Sequence, residues 1–514
     1  MRFFNNAGPI KLDIHYNIDP LERINKKEIL SLIETQKYFI LHAPRQTGKT
    51  SGLLALRDYL NAEGRYYCVY VNVEDAQAAR ENVEMAMQAI IYSLSLRIDE
   101  SYGKLYEAFH NVMEKCLKMT PYSALNFLLD YLCKNSDKPL VLLIDEIDSL
   151  IGDTLISVLR QLRSGYDKRP KAFPQTIMLC GIRDVRDYRI NSSAEKQIIT
   201  GGSAFNIKSE SLRLGDFTYE EVKQLYLQHT AETGQKFEDD IWDYVWFLTE
   251  GQPWIVNTLA YEACFKIEKD RTKPITKAII EKAKENIIID RMTHIDILID
   301  KLREERVRRV IEPILSSVED INFNEADISY VIDLGLIKGN VKNYRISNGI
   351  YKEVIPRELV YATQRGITHD TLWYVENGKL KLTKLLTNFQ QFFRENSEVW
   401  LERFDYKEAG PHLLLMAFLQ RIINGGGRIF REYGLGRKRI DLLIEYGGEK
   451  LAIETKIYRN EKTKTDGLTQ LREYMDMTGA KEGHLVIFNR DAKIDWETKI
   501  YNEKIDGKIT IWGI

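Results

Sequence analysis

The sequence has few cysteines, and none of them is placed to bind a metal. Only 5 of the 514 residues are cysteine, and they occur without a CxxC or Cys/His pattern. An odd number of scattered cysteines favours reduced thiols over a disulfide framework, and it excludes a structural zinc site of the usual spacing. We therefore expect a cytoplasmic protein.

Long apolar runs and an excess of one charge are also missing. No apolar stretch approaches the roughly 18 residues of a membrane span, and the N-terminal residues lack the apolar core of a signal peptide. The 73 Lys and Arg residues nearly cancel the 75 Asp and Glu residues. We expect no membrane partner, and a nucleic acid would have to bind a local patch. The length allows roughly three domains at about 150 residues each.

A glycine-containing loop follows the first strong strand pattern. Between Tyr38 and Gly181, apolar β-branched runs alternate with helical patterns, which predicts a parallel α/β sheet. The loop APRQTGKT lies between the strand ending at Leu41 and the helix starting at Ser51, so it is placed as a P-loop for ATP. Its residues are the expected nucleotide ligands: Ala43, Pro44, Arg45, Gln46, Thr47, Gly48, Lys49 and Thr50. A chance GKT on a surface turn is the alternative.

An apolar strand ends in an acidic pair. Leu140 to Ile144 is wholly apolar, as a central parallel strand requires, and Asp145 and Glu146 follow it. At the carboxyl end of the sheet, Asp145 would join Thr50 in holding Mg²⁺, and Glu146 would polarise the attacking water. A later strand ends at Arg183, which is either a γ-phosphate sensor or a plain surface arginine.

Helical patterns follow this sheet. Thr218 and Glu221 have the spacing of a capping box, and the sequence GQPW at Gly251 opens a further helix. Residues 303–359 predict a helix, a second helix near Ile328 to Leu334, a break at Gly335 and a strand at Tyr344 to Ile346, which is a winged-helix order.

Together, the P-loop, the acidic strand, the GIRD strand end and the GQPW element resemble the AAA-like ATPases of bacteria and archaea, including the STAND type. That resemblance implies ATP hydrolysis, a helical lid, a winged helix and work as a homo-oligomer or as a nucleotide switch.

A carboxyl-terminal hairpin carries two acids and a lysine. Asp441 opens one strand, Gly447 and Gly448 form the turn, and the return strand carries Glu454 and Lys456 on one face. Two carboxylates and a lysine can bind Mg²⁺ and activate water beside a phosphate. An exposed ion pair on an amphipathic hairpin is the alternative.

These residues match the PD-(D/E)XK nuclease pattern, with Ile440 in place of the proline. In the RecB-like branch, a QxxxY element lies beside the metal site, and the sequence has it at Gln470 and Tyr474. The resemblance further implies a first-helix carboxylate, for which Glu408 and Glu432 compete. Cations that suit a DNA backbone flank the hairpin: Arg428, Arg431, Arg437, Lys438, Arg439, Arg459, Lys462 and Lys464.

The expected architecture is therefore an α/β P-loop NTPase followed by a second α/β domain of restriction-endonuclease-like fold. The expected segments are 1–212 (P-loop core), 213–300 (helical lid), 301–362 (winged helix), 363–383 (linker or small ribbon) and 384–514 (nuclease-like domain). The leading hypothesis is an ATPase coupled to Mg²⁺-dependent DNA cleavage, in genome defence or mobile-element biology. The alternatives are a nucleotide-switched DNA-binding regulator and a signalling ATPase with a degenerate protein-interaction tail.

Overall fold

The computed structural model divides into two compact units. Unit 1 comprises residues 1–294, 329–336 and 347–350, and unit 2 comprises residues 295–328, 337–346 and 351–514. The structure describes the chain except residues 1, 185–188, 193–196, 201–204, 290–292, 316–323, 341–342, 360–373, 377–378, 404–414, 416–417, 420–427, 436–437, 490 and 492–493. No helix in the described part is long and apolar enough to cross a membrane.

The strands of the N-terminal half are short. They are β1 (Phe3–Phe4), β2 (His15–Tyr16), β3 (Tyr38–His42), β4 (Tyr67–Asn72), β5 (Leu140–Asp145), β6 (Thr176–Gly181), β7 (Arg189–Ser192), β8 (Gln197–Thr200) and β9 (Lys208–Arg213). The accompanying helices are α1 (Pro20–Arg23), α2 (Lys26–Glu34), α3 (Lys49–Glu63), α4 (Val83–Ser95), α5 (Lys104–Leu117), α6 (Ala124–Asn135), α7 (Gly152–Ser164), α8 (Tyr219–Thr233), α9 (Trp242–Thr249), α10 (Pro253–Tyr261) and α11 (Lys277–Ile289).

The main sheet of unit 1 is parallel, as the sequence predicts. Its strand order is β4-β5-β6-β3-β9, and every pairing within it is parallel. Strand β6 therefore separates β3, which leads into the P-loop, from β5, which ends in Asp145. Because parallel strands end at the same edge, the P-loop, Arg183 and Asp145 all follow carboxyl ends on one side of the sheet.

The capping box at the start of α8 is confirmed. Glu221 N–H donates to Thr218 Oγ1, and Thr218 N–H donates to Glu221 Oε2.

The helices after residue 292 follow in the order α12 (Thr293–Leu302), α13 (Glu305–Leu315), α14 (Glu325–Asp333), α15 (Gly349–Leu359), α16 (Leu382–Arg403), α17 (Lys462–Thr478) and α18 (Trp496–Lys499). Helix α14 starts three residues before the predicted Ile328, because the Asn324 side chain accepts a hydrogen bond from Ala326 N–H at 2.9 Å and so caps the helix.

The remaining strands are β10 (Ile337–Lys338), β11 (Arg345–Ile346), β12 (Val375–Glu376), β13 (Lys379–Leu380), β14 (Arg428–Leu435), β15 (Lys438–Tyr446), β16 (Glu449–Ile457), β17 (Glu482–Phe488), β18 (Tyr501–Ile505) and β19 (Ile509–Gly513). Strands β10 and β11 form a two-stranded antiparallel ribbon, and so do β12 and β13 within the expected linker.

Unit 2 is built on a six-stranded mixed sheet of order β14-β15-β16-β17-β19-β18. Strands β14, β15 and β16 form an antiparallel meander, and α17 crosses over to β17, which pairs parallel to β16. One face packs against Phe389 and Phe393 of α16, and the other packs against Leu471 and Tyr474 of α17.

Helix α17 begins five residues before Gly467, where the sequence pattern placed its start. Gly467 instead lies inside the helix and is buried, and a Cβ built on it would come within 2.8 Å of Leu485. The glycine therefore allows the helix to pack closely on the sheet.

Candidate functional sites

The P-loop leaves strand β3 and enters helix α3 with two residues in the left-handed region. Gln46 has φ +58° and Gly48 has φ +95°, and the glycine tolerates this conformation without a Cβ penalty. The Thr47 hydroxyl donates to the Pro44 carbonyl at 2.9 Å. Lys49 Nζ donates to the carbonyls of Ala43 (2.9 Å) and Pro44 (3.0 Å), so the lysine lies over the loop.

Asp145 is fully buried and its carboxylate is held by three donors. Oδ2 accepts from Thr50 Oγ1 at 2.7 Å and from Tyr70 Oη at 3.0 Å, while Oδ1 accepts from the N–H of Glu146 at 3.0 Å. A hydroxyl and a carboxylate oxygen in direct contact are the donor set that fits Mg²⁺ beside nucleotide phosphates. Thr50 and Asp145 are thus brought together as the sequence predicts.

Glu146 has a strained backbone and a partly buried side chain. Its φ is +57°, in the left-handed region, which is uncommon for a residue with a Cβ. Burial raises the pKa of its carboxyl, and the neighbouring Asp148 raises it further. A carboxyl with a raised pKa at the carboxyl end of the sheet can accept a proton from water more readily than an ordinary glutamate.

Arg183 is not a plain surface arginine. Its side chain is 14% exposed, its Nε lies 3.3 Å from Asp333 Oδ2, and its guanidinium lies over the Tyr330 ring at 5.1 Å. Both partners belong to unit 1, at the end of helix α14. A role as γ-phosphate sensor stays a prediction.

Arg23 supports the P-loop from the N-terminal segment, for which sequence reasoning gave no role. Its guanidinium donates to the carbonyls of Thr47 (2.6 Å) and Gly215 (2.7 Å) and stacks on the Phe217 ring at 4.5 Å. Burial lowers its pKa to about 10. A Cβ on Gly48 would lie 2.8 Å from the same guanidinium, so the arginine and the glycine fit each other.

The carboxyl-terminal hairpin brings Asp441, Glu454 and Lys456 together. Lys456 Nζ lies 2.9 Å from Glu454 Oε1, and the charge of Asp441 acts on both side chains. Asp441 Oδ2 accepts hydrogen bonds from the N–H (2.8 Å) and the hydroxyl (2.7 Å) of Thr455. Thr455 thereby fixes the orientation of the first acid.

Glu454 is buried with one oxygen unpartnered. Its Oε2 has no hydrogen-bond partner among the described residues, and neither has the buried Oε1 of Gln470. Burial raises the pKa of Glu454 to about 7, and Asp441 contributes in the same direction. Burial alone would lower the pKa of Lys456, but the Glu454 carboxylate raises it. A buried, unpartnered carboxylate oxygen beside a second acid fits a hard cation such as Mg²⁺.

The described residues contain no group of three or more His, Cys, Asp or Glu side chains that could hold a metal ion. Glu408 lies outside the described residues, and the side chain of Glu432 is not described either.

Two family models match separate segments of the chain. Residues 7–356 match a family model described as an AAA-like domain. The chain belongs to this AAA-like family. Residues 387–492 match a model described as a domain of unknown function (DUF8371). No curated protein matches the chain.

Three solved structures are similar to the AAA-like chain at low identity. The Walker-type ATPase Paby2304 of Pyrococcus abyssi is 15% identical, with a TM-score of 0.45 over 68% of this chain and 99% of that one. The RuvB Holliday junction branch migration motor of Thermotoga maritima is 15% identical, with a TM-score of 0.34 over 68% and 97%. Cdc6p from Pyrobaculum aerophilum is 15% identical, with a TM-score of 0.36 over 67% and 94%. TM-scores this low carry no argument about function.

Membership of the AAA-like family supports ATP binding at the P-loop. Sequence reasoning missed Arg23, Tyr70 and Thr455, which hold the P-loop and the two acids in place. Arg23 and Tyr70 belong to no motif, and Thr455 fills the variable position of the (D/E)XK pattern, so only the pairing of distant segments reveals these roles.

Proposed function

We propose that the protein hydrolyses ATP in unit 1 and cleaves DNA phosphodiester bonds in unit 2, with the nucleotide state governing assembly or access to DNA. The family supports the first half. The second half depends on one observation, the buried and unpartnered Oε2 of Glu454 beside Lys456 and Asp441. A purely structural ion pair on a hairpin would leave both carboxylate oxygens in water or in hydrogen bonds.

Each residue of unit 2 has a separate role in the proposed reaction. Asp441, held by Thr455, and Glu454 would hold the Mg²⁺ ion. When bound, the ion would stabilise charge on the phosphate and lower the pKa of a water. Lys456, charged and next to Glu454, would orient the water or offset charge on the phosphate. Gln470 would orient water or DNA through its own unpartnered oxygen.

In unit 1, Lys49 would bind phosphate oxygens, and Thr50 with Asp145 would hold Mg²⁺. Glu146 would take the proton of the attacking water, and its raised pKa suits it to do so. Genome defence or mobile-element biology is the proposed setting.

The deciding experiment is a nuclease assay with Mg²⁺ or Mn²⁺, with and without ATP. We expect wild-type protein to cut DNA and Glu454→Gln to cut at least about 100-fold more slowly, because one hard oxygen ligand is lost. Glu445→Gln is the matched control, since Glu445 lies on β15 in the same hairpin but is 34% exposed and paired with Lys450. Lys456→Met should slow cleavage while metal binding persists, and Gln470→Ala should have a milder effect.

If wild-type protein cuts no DNA under any of these conditions, the nucleotide-switched DNA-binding regulator becomes the better account. The segment predicted as a winged helix, residues 301–362, would then be the DNA-binding element. Normal cleavage by Glu454→Gln would instead place the active site elsewhere.

A further inference from the structure

A row of aligned residues crosses the sheet of unit 2 from the Glu454–Lys456 pair to an exposed tyrosine. Lys456 aligns with Ile487, Ile487 with Gly513, and Gly513 with Tyr501. Aligned residues on neighbouring strands project to the same face of a sheet. Tyr501 therefore shares its face with Lys456, and with Glu454 two residues earlier.

The Tyr501 ring leans along this row towards the acidic site. Gly513 has no side chain, and a Cβ built on it would overlap Cδ1 and Cε1 of Tyr501, so the ring occupies the space above the glycine. Gly513 lies two strands from Lys456, which is about 10 Å at the usual strand spacing. A sugar and base attached to a phosphate at Lys456 can bridge that separation.

A buried glutamine holds the backbone that carries the ring. Gln390 of α16 is 3% exposed, and its Nε2 donates to the carbonyls of both Tyr501 (2.9 Å) and Gly513 (2.7 Å). One side chain thus links the start of β18, which carries the Tyr501 ring, to the end of β19, where Gly513 leaves the space that the ring occupies. The aromatic surface is preorganised, which reduces the entropy cost of binding.

A second tyrosine lies two residues beyond Lys456. Tyr501 is 38% exposed and Tyr458 is 36% exposed. The hydroxyl of Tyr458 donates to Glu461 at 3.1 Å; that carboxylate raises the pKa of Tyr458, and Tyr501 adds to the effect. Tyr458 therefore lies just past the strand that carries Lys456, with its hydroxyl within electrostatic range of Tyr501.

The charges around the rings are mixed. Lys464 Nζ lies 2.6 Å from Glu503 on β18, and Lys462 is offset by Glu461 and Asp466 nearby in the sequence. Because its positive and negative charges nearly balance, this surface attracts phosphate groups only weakly. The feature that distinguishes this surface is the exposed aromatic faces of Tyr458 and Tyr501, which can stack on a base without any charge.

We propose that Tyr501, assisted by Tyr458, stacks on an unpaired base of a nucleic acid strand held at the Glu454–Lys456 site, so that the substrate class is single-stranded DNA or a frayed end. This inference rests on the proposed function in unit 2. Bases inside a duplex stack on each other and are not available to the ring, whereas aromatic stacking on single strands tolerates any sequence.

The test uses the full chain with a chelator, so that no cleavage can occur. The probes are a single-stranded oligonucleotide carrying 2-aminopurine and a covalently closed circular duplex that contains the same sequence and has no ends or loops. We expect wild type and Tyr501→Phe to prefer the single strand and to change its 2-aminopurine fluorescence by stacking. Tyr501→Leu should weaken single-strand binding about tenfold, lose the fluorescence change and bind the duplex as before. Tyr122→Leu, at a 67% exposed tyrosine of unit 1, is the control.

Equal single-strand affinity of Tyr501→Leu and wild type would overturn the inference, and so would a wild-type preference for the closed duplex. Should Tyr501→Leu fold poorly, Tyr501→Trp replaces it, and loss of single-strand binding by this larger ring would equally overturn the inference. Base stacking by the wild-type protein without DNA cleavage in Mg²⁺ would support the inference but contradict the proposed nuclease activity. Cleavage that does not depend on Tyr501 would support the nuclease and remove the stacking surface.

Discussion

The two acidic sites of the molecule hold their carboxylates in opposite ways. In unit 1, both oxygens of Asp145 accept hydrogen bonds, from Thr50, Tyr70 and the backbone of Glu146. In unit 2, Glu454 is nearly as buried, yet one oxygen has Lys456 beside it and the other has no partner in the described part of the chain. The first acid therefore has hydrogen-bond donors on both oxygens, whereas burial raises the pKa of the second.

This difference follows from the two sheets. The parallel sheet of unit 1 gathers loop donors at the carboxyl ends of its strands, where Asp145 lies. Glu454 instead lies within β16, where it aligns with Leu485 of β17 and lies two residues after Ala452. A carboxylate inside a strand has fewer backbone N–H donors within reach, because those N–H groups form the hydrogen bonds of the sheet. The experiments on Glu146, Glu454 and Tyr70 each test one of the two acidic sites.

The largest effect is expected at Glu146. Glu146→Gln should slow ATP hydrolysis about 100-fold or more, because the attacking water loses its base, while ATP binding remains. Lys49→Ala should lose binding as well, because it removes a charge from the phosphate site. Turnover and calorimetric ATP binding measure the two effects. Glu84→Gln, at an exposed position on α4, is the control, and unchanged turnover in Glu146→Gln would show that another group activates the water.

The next effect concerns pH and Glu454. Because its pKa is raised from 4.5 to about 7, the folded state binds this proton more tightly than the unfolded chain does. The resulting stability is complete below about pH 4.5 and is lost as the pH rises through about 7. With a chelator present, wild type should lose about 1–3 kcal/mol relative to Glu454→Gln across this range.

Hydrogen exchange of the peptide covering β16 measures this change. Glu445→Gln should follow the wild-type curve, since Glu445 is partly exposed. Parallel curves for wild type and Glu454→Gln would show that Glu454 titrates as an ordinary carboxyl, and the contrast between the two sites would disappear.

A smaller effect is expected at Tyr70, which donates to Asp145. Tyr70→Phe removes one donor without changing the ring, so the Mg²⁺ concentration for half-maximal ATP hydrolysis should rise about tenfold. Tyr92→Phe, at a tyrosine that is 57% exposed, should leave it unchanged. An unaltered Mg²⁺ dependence in Tyr70→Phe would mean that Thr50 and the Glu146 N–H suffice to orient Asp145.

The smallest effect is structural. Thr218→Ala removes one half of the capping box of α8 and should cost about 1 kcal/mol of stability with little change in ATP hydrolysis. Thr218→Ser should restore the stability. A selective loss of ATP hydrolysis at an unchanged melting temperature would show that Thr218 acts at the nucleotide site.

Local patterns in the sequence predict those parts of the sites that local rules determine. The strand before Ala43, the P-loop and the hairpin that carries Asp441 and Glu454 all follow from adjacent residues. Tyr70 lies 75 positions before Asp145 in the chain, and Gln390 lies 111 before Tyr501. Such partners depend on how distant segments pair, which periodicity does not encode.

Some glycines also have structural roles that local sequence patterns do not predict. Gly48 is readable as a loop residue because it lies in a motif. Gly467 has the sequence pattern of a helix start, yet both Gly467 and Gly513 are glycine because a neighbouring side chain occupies the space of a Cβ. In each case the side chain belongs to another element: Leu485 of β17 lies against Gly467, and Tyr501 of β18 lies against Gly513.

The strand order of unit 1 also determines when the P-loop can form during synthesis. Strand β3 pairs on one edge with β6 and on the other with β9, so Phe39 meets Met178 and Glu210. Until the ribosome has released residues up to about 181, this apolar strand has neither neighbour, and pairing across so long a chain segment is slow. The nascent chain therefore carries its phosphate-binding motif long before the strand that precedes the motif has its neighbours in the sheet.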